Sequence, residues 1–387
     1  TKIHPDDKND WINQRDSKYD EYFALDGEVF RDKAIGVSTN RDMWVYGYDR
    51  NNVIQNTQRM VENYNSEVIR LNNVTTATEK VNQANNSDYF VKWTRGLKQK
   101  LVKSERITLK ENVIQSMYRP YVLKWLYYDK NVVEMPGRYH SIFGSVNKVI
   151  CVTGAGASRD FSCLITDKIP NLDLMEKGQG FFRYDNSPKG TLIVDISNIS
   201  DSFKAKLGIS EDEVFFYVYG VLHSKEYRTL YANDLKKALP RIPVLKNKEK
   251  FIEVGKKLID LHLGYESVPP YEGVKFEGKA NPSYKVRKMK HPKKGVFDKI
   301  VFNEDITILN IPEKAYEYVI NGRPAIEWII DQYQFKDDAK SGIVDDPNLY
   351  SDDERYIFDL LLRIINVSVQ TVDLVDSLPP LEIIDAE

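Results

Sequence analysis

KVICVTGAGASRDFSCLIT, residues Lys148–Thr166, decides how the chain folds. Two apolar runs flank a glycine-rich turn. A turn that cradles a phosphate or a nucleotide opens a helix, whose first N–H groups receive the ligand. Here RDFSCLITDKIP follows and reads as a second strand, so Val152–Ser158 is expected to be a hairpin turn and not a cofactor turn. Working outward, VLKWLYY on one side and GFFRY and TLIVDIS on the other read as further strands of a mixed sheet.

Helices surround this region. Val53, Ile54, Met60, Val61, Tyr64, Val68, Ile69 and Leu71 keep close to helical period, and a basic helix is expected from about Tyr89 to Lys103 with Phe90, Trp93, Leu97 and Leu101 on one face. The polar stretch between them, NNVTTATEKVNQANNS, reads as a connector. Ser210-Glu211-Asp212-Glu213 has capping-box spacing ahead of the apolar VFFYVYGVL. Further helices are expected over Lys225–Leu239 and from Asn247 towards Gly264. Strands resume at SYKVRKM, DKIVFN and ITILNI, and the end is helical: PEKAYEYVI, RPAIEWIIDQY with Pro324 in its first turn, and RYIFDLLLRIINVSVQTVDLV. The expected class is mixed α+β, with a helical lead-in over 1–110 and a mixed α/β domain with a helical C-terminus over 111–387.

With 42% hydrophobic and 29% charged residues, the 387-residue chain is no disordered polymer and is long enough for more than one core. Cys151 and Cys163 cannot build a disulfide framework, and no His/Cys group has metal-ligand spacing; a reducing, cytoplasmic setting is expected. No stretch approaches the ~20 apolar residues of a membrane span, and no signal peptide is visible. The missing initiator methionine fits a fragment.

The net charge of −2 conceals a strong segregation. Tyr89–His140 carries eleven Lys and Arg against four Asp and Glu, and Lys275–Lys299 nine against two, whereas Ile300–Glu387 carries six against nineteen. Such basic stretches suit a polyanion, although solvated helix faces give the same counts.

Several patterns imitate catalytic signatures and fail on context. Asn281-Pro282-Ser283-Tyr284 resembles the base-holding loop of adenine methyltransferases, but its third position is Ser and no buried strand precedes it. Glu277-Gly278-Lys279 offers half a nuclease site, yet the upstream acid, Asp260, falls on an expected helix. Walker loops, His/Cys clusters and nucleophile elbows are missing, so no catalytic residue, metal site or cofactor is assigned to this chain.

Binding signals are softer. Tyr118-Arg119-Pro120-Tyr121, followed by Lys124, interleaves cations with aromatic rings, and Arg119, Lys124 and Arg138 become candidates for DNA contact. Trp125 and Tyr127 read as core. In YKVRKMKH, period-2 alternation would put Lys285 and Arg287 on one strand face, with Lys288 and Lys290 extending the charge. Contacts of that kind go to phosphates and set register. Lys336, Lys340 and Ser341 sit in a polar, turn-rich stretch and are further candidates, its Asp and Asn residues reading as caps and turns.

Taken in order, GVSTNRDMWVYGY (Gly36–Tyr48), YRPYVLKWLYYD (Tyr118–Asp129), VYGVLHSKEYRTLYANDLKKALPRIP (Val218–Pro243), KKLIDLHLGYE (Lys256–Glu266), YKVRKM (Tyr284–Met289) and YVINGRPAIEWIIDQYQFKDDAKSGIVDDPN (Tyr318–Asn348) resemble the C-terminal specificity region of type ISP restriction–modification enzymes. The resemblance runs over essentially the whole chain. It implies a long polypeptide of nuclease, ATP-driven translocase, adenine methyltransferase and target-recognition domain. S-adenosylmethionine, ATP and Mg would serve the other domains. Residues 1–110 would then be the methyltransferase tail and a spacer, the remainder would bind double-stranded DNA sequence-specifically, and the partners would be DNA and the neighbouring domains. Arg41, in the TNRD segment, has two open roles, DNA contact or internal salt bridge. A protein-docking module without DNA contact is the rival reading.

Overall fold

The computed structural model describes residues 4–6, 8–12, 14–139, 147–185 and 196–384. The architecture is mixed α+β: helices and several small sheets packed around two apolar cores. Lys148–Thr166 folds as expected. Val149–Val152 pairs antiparallel with Cys163–Thr166, and Gln179–Phe182 joins the other edge. A four-stranded sheet runs Tyr46–Gly47, Val122–Tyr127, Val113–Arg119, Ile169–Pro170, the last pair being parallel. A third sheet orders Lys275–Gly278, Ile306–Leu309 and Lys299–Val301.

The capping box forms as read: the Ser210 hydroxyl accepts from the Glu213 N–H while the Glu213 carboxylate takes the Ser210 N–H at 2.8 Å. The helix it starts, Glu211–His223, lies against Lys248–Leu263 at backbone contact. A Cβ on Gly255 would stand 1.9 Å from the Phe216 carbonyl oxygen, and one on Gly220 would stand 2.2 Å from that of Phe251. Only glycine permits that approach, which closes the second core.

Each core draws on residues from both sides of residue 110. One gathers Val37–Leu101 with the four-stranded sheet, the third sheet and the helices Ala325–Gln332 and Tyr356–Asp376. The other joins Tyr19–Phe30 to residues between Ile150 and Ile259.

Several elements differ from expectation. Ala77–Gln83 is a helix inside the supposed connector, started by Thr76, whose hydroxyl accepts from the Glu79 N–H. The basic helix is shorter, Arg95–Val102, because Thr94 and the Glu134 carboxylate take its first N–H groups, while the Trp93 indole is held outside it by the Asn85 carbonyl. Lys225–Leu239 breaks at Tyr231 into Lys225–Leu230 and Ala232–Lys237. PEKAYEYVI is a 3-10 turn followed by a hairpin, Val319–Ile320 with Arg323–Pro324, in which Asn321 and Gly322 both have positive φ. Asn-Gly is the strongest short hairpin signal. Pro324 stands just before the helix Ala325–Gln332. SYKVRKM forms no strand, bends at Arg287 and joins no ladder until Lys290 bridges Val301. TLIVDIS lies outside the described residues except for Ile196–Ser197, a short strand. Among the described residues no helix is long and apolar enough to cross a membrane.

Candidate nucleic-acid interface

The segment Ser283–Lys290 forms no strand, and its two buried residues are three apart. Val286 and Met289 are buried pegs, while Lys285, Arg287, Lys288 and Lys290 are exposed. Side chains replace the ladder. The Asn348 amide accepts from the Val286 N–H and donates to the Val286 carbonyl, both at 2.8 Å, and Asn303 donates to the carbonyls of Ser283 and Lys285. The Phe335 N–H reaches the Arg287 carbonyl at 2.9 Å. Held this way, the four cations line one open groove of about 440 Å³.

Both basic stretches hold paired and unpaired cations, Arg95, Lys98, Arg106, Lys110 and Lys130 of the first having no ion pair among the described residues. In the first, Lys92 pairs with Asp88, Lys100 with Glu105, and Arg138 with Asp32 and Asp185. In the second, Lys279 pairs with Asp305, and none of Lys285, Arg287, Lys288 and Lys290 has an ion pair among the described residues. Glu304 and Asp305 line the same groove, but Asp305 is taken by Lys279, so the four cations outnumber the acids there, a balance that suits an anion.

Three candidates prove to be internal. Lys124 is only 4% exposed; its ammonium is 2.6 Å from the Asp345 carboxylate and lies over the rings of Tyr48 and Tyr118. An ammonium so enclosed cannot reach DNA. Ser341 is 2% exposed and gives its hydroxyl to Asp338. Arg41 is 3% exposed, donates to Thr94 and lies 3.8 Å from Glu134, which settles its two roles in favour of the internal one. Burial lowers its guanidinium to about 10, against the opposing pull of Glu134. Arg119 is committed as well, donating to the Tyr118 carbonyl at 2.6 Å and to Asn171 at 2.9 Å. Arg138, half-exposed, is shared between its two aspartates.

Lys336 and Lys340, expected in a turn-rich stretch, belong to a hairpin. Lys336–Asp338 pairs with Ile343–Asp345 as a two-stranded ribbon that begins right after Phe335, hence beside Arg287. Lys340 is exposed at its tip; Lys336 is half-buried, and burial followed by the Lys124 charge lowers its pKa. The Ser341-Gly342 dipeptide between FKDD and IVDD was the signal for this hairpin.

No curated protein matches the chain. It is similar to several solved structures. One, 45% identical with a TM-score of 0.91, is a nuclease-deletion mutant of the type ISP restriction–modification enzyme LlaGI in complex with a DNA substrate mimic; the match covers 99% of this chain and 36% of that one. Another, 40% identical with a TM-score of 0.88, is the ATP-dependent type ISP restriction–modification enzyme LlaBIII bound to DNA, covering 98% and 25%. A DrdV–DNA complex is 27% identical with a TM-score of 0.83, covering 98% and 40%. The chain thus spans well under half the length of these relatives. The family model described as the type ISP C-terminal specificity domain matches residues 28–360, and the chain belongs to that family.

Proposed function

We propose that this chain binds duplex DNA and selects its target sequence for a longer restriction–modification polypeptide, in which other domains carry methylation, translocation and cleavage with S-adenosylmethionine, ATP and Mg. The observation that carries the reading is the groove that gathers Lys285, Arg287, Lys288 and Lys290, none of them in an ion pair among the described residues. The DNA present in the related complexes supports it. Phosphate contacts from these four side chains hold the duplex in register, and sequence is read elsewhere on the surface.

Titration of the 387-residue chain with random duplex at several salt concentrations tests this. Four neutralised phosphates give a log–log slope of about −3.6, so affinity falls about 150-fold between 50 and 200 mM salt. Lys285→Ala with Arg287→Ala should flatten the slope by about 1.8. A flat wild-type response rejects DNA binding and leaves the protein-docking alternative. An unchanged slope in the double variant means the phosphates lie on another surface.

A further inference from the structure

The ribbon Lys336–Asp345 is small, yet the fold holds it from several sides. Two three-residue strands are marginal alone. At its base, the Asp345 carboxylate takes the Lys124 ammonium at 2.6 Å and the Tyr48 N–H at 2.9 Å, both in the interior. At its tip, Gly342 has a φ of +67°, and a Cβ there would stand 2.3 Å from the Tyr89 ring. The Arg59 guanidinium lies over the Trp44 and Tyr89 rings, within 3.5 Å of the Ser341 carbonyl oxygen. Inside the turn, Asp338 accepts from the Ser341 N–H and hydroxyl. Lys336 and Asp345 are paired residues, so the face they share is the one mounted on the core.

The opposite face is open. Asp337 and Val344 face each other across the ladder, and both are exposed, Val344 by 45%. Phe335, two residues before Asp337 and so in phase with it, is 37% exposed, with the Arg287 guanidinium 5.8 Å from its ring centre. The outward face therefore adjoins the cationic groove. Asp337 forms no ion pair among the described residues, although lysines flank it in sequence at 336 and 340.

We infer that this ribbon enters the major groove and that Asp337 and Val344 read base edges there. The inference rests on the DNA-binding reading above. A groove about 12 Å wide admits a two-stranded ribbon. A carboxylate is repelled by phosphates, so among cations it is out of place on a backbone-tracking surface. It suits a base amino group, the N4 of cytosine above all, which donates to Asp or Glu. Val344, directly opposite, offers an apolar surface to a thymine methyl. Rigid mounting is what such reading requires, because a loose side chain discriminates poorly.

The test is selection of bound sequences from a random duplex pool by the 387-residue chain, wild-type and carrying Asp337→Ala or Val344→Ala, together with affinity and salt slope on random duplex. Each variant should lose preference at one or two base pairs, discrimination there falling roughly 5- to 150-fold. Asp337→Ala should keep its salt slope and bind random duplex as well as wild-type or better, because a repulsive charge has gone. Unchanged thermal midpoints show that the exposed substitutions leave the fold intact. If wild-type selects a sequence and both variants select it equally well, the ribbon does not read bases, and the DNA-binding reading stands. If wild-type binds duplex without any preference, the sequence-selecting part of the proposed function fails, and the ribbon assignment with it.

Discussion

Replacing Lys124 by methionine removes a charge from the interior while keeping most of the volume. Lys124 and Asp345 side chains are 5% and 6% exposed, and their charged atoms are 2.6 Å apart. Without the ammonium, one Asp345 oxygen keeps the Tyr48 N–H and the other loses its ion-pair partner, with the half-buried Lys336 as the paired residue on the same face. Breaking a buried pair from one side costs about 3–5 kcal/mol. The ammonium also sits 4.3 Å from the Tyr48 ring centre, a contact worth up to about 2 kcal/mol when desolvated. The retained N–H and the added methionine packing offset part of that, so the net loss should stay near about 3–5 kcal/mol. With an unfolding entropy of about 2.1 cal/mol/K per residue over 387 residues, about 1.2 °C per kcal/mol, the thermal midpoint falls by about 4–6 °C. Urea unfolding followed by circular dichroism measures it, with the denaturant slope as a check on the unfolded state. Adding Asp345→Asn should recover at least half of the loss, because a neutral amide tolerates the site. A single variant within about 1 kcal/mol of wild-type would refute the buried pair.

Other outcomes are equally accessible. Gly342→Ala should cost about 1–2 kcal/mol, since the added Cβ meets the Tyr89 ring at a positive φ, and thermal unfolding reads it. Ser210→Ala should cost about 1 kcal/mol by losing the capping box. Hydrogen bonds from the Ser210 N–H and hydroxyl lower the Glu213 pKa. A depressed carboxylate stabilises the fold above its unfolded value, so the Ser210→Ala deficit should be full at neutral pH and shrink as pH falls through the Glu213 value. Burial raises Cys151 to about 12 and Cys163 to about 11. Both thiols should therefore ignore a disulfide reagent at pH 8 and react after unfolding in urea; rapid reaction of the native protein would contradict their burial.

Local signals in the sequence survived into the structure where they depended on neighbours. The capping box, the glycine-rich hairpin turn and the apolar period of Val53–Leu71 are of this kind. The alternation around Val286 matched the buried Val286 between exposed Lys285 and Arg287 but failed beyond it, where Lys288 is exposed and Met289 buried; no ladder forms there, because Asn348 and Phe335 supply the partners instead. What escaped depended on distant partners. Lys124 looked like a DNA contact in its basic, aromatic run because Asp345 lies 221 residues away. The helix Ala77–Gln83 was hidden because its one buried residue is Lys80, whose ammonium reaches the Val102 carbonyl and the Ser104 hydroxyl. Asp337 was overlooked because an acid in an acid-rich stretch reads as solvated surface until its pairing with Val344 is known.

The two cores are interlaced along the polypeptide: the first tens of residues and the last hundred wrap the same interiors as the middle. Leu245 even bridges Ile383, stitching the far end back across the second core. A single cut anywhere near residue 110 would leave two torn pieces, neither holding a complete interior. On the proposed reading, altered target choice follows more readily from rewriting a few outward side chains on a fixed mount than from exchanging whole segments between relatives.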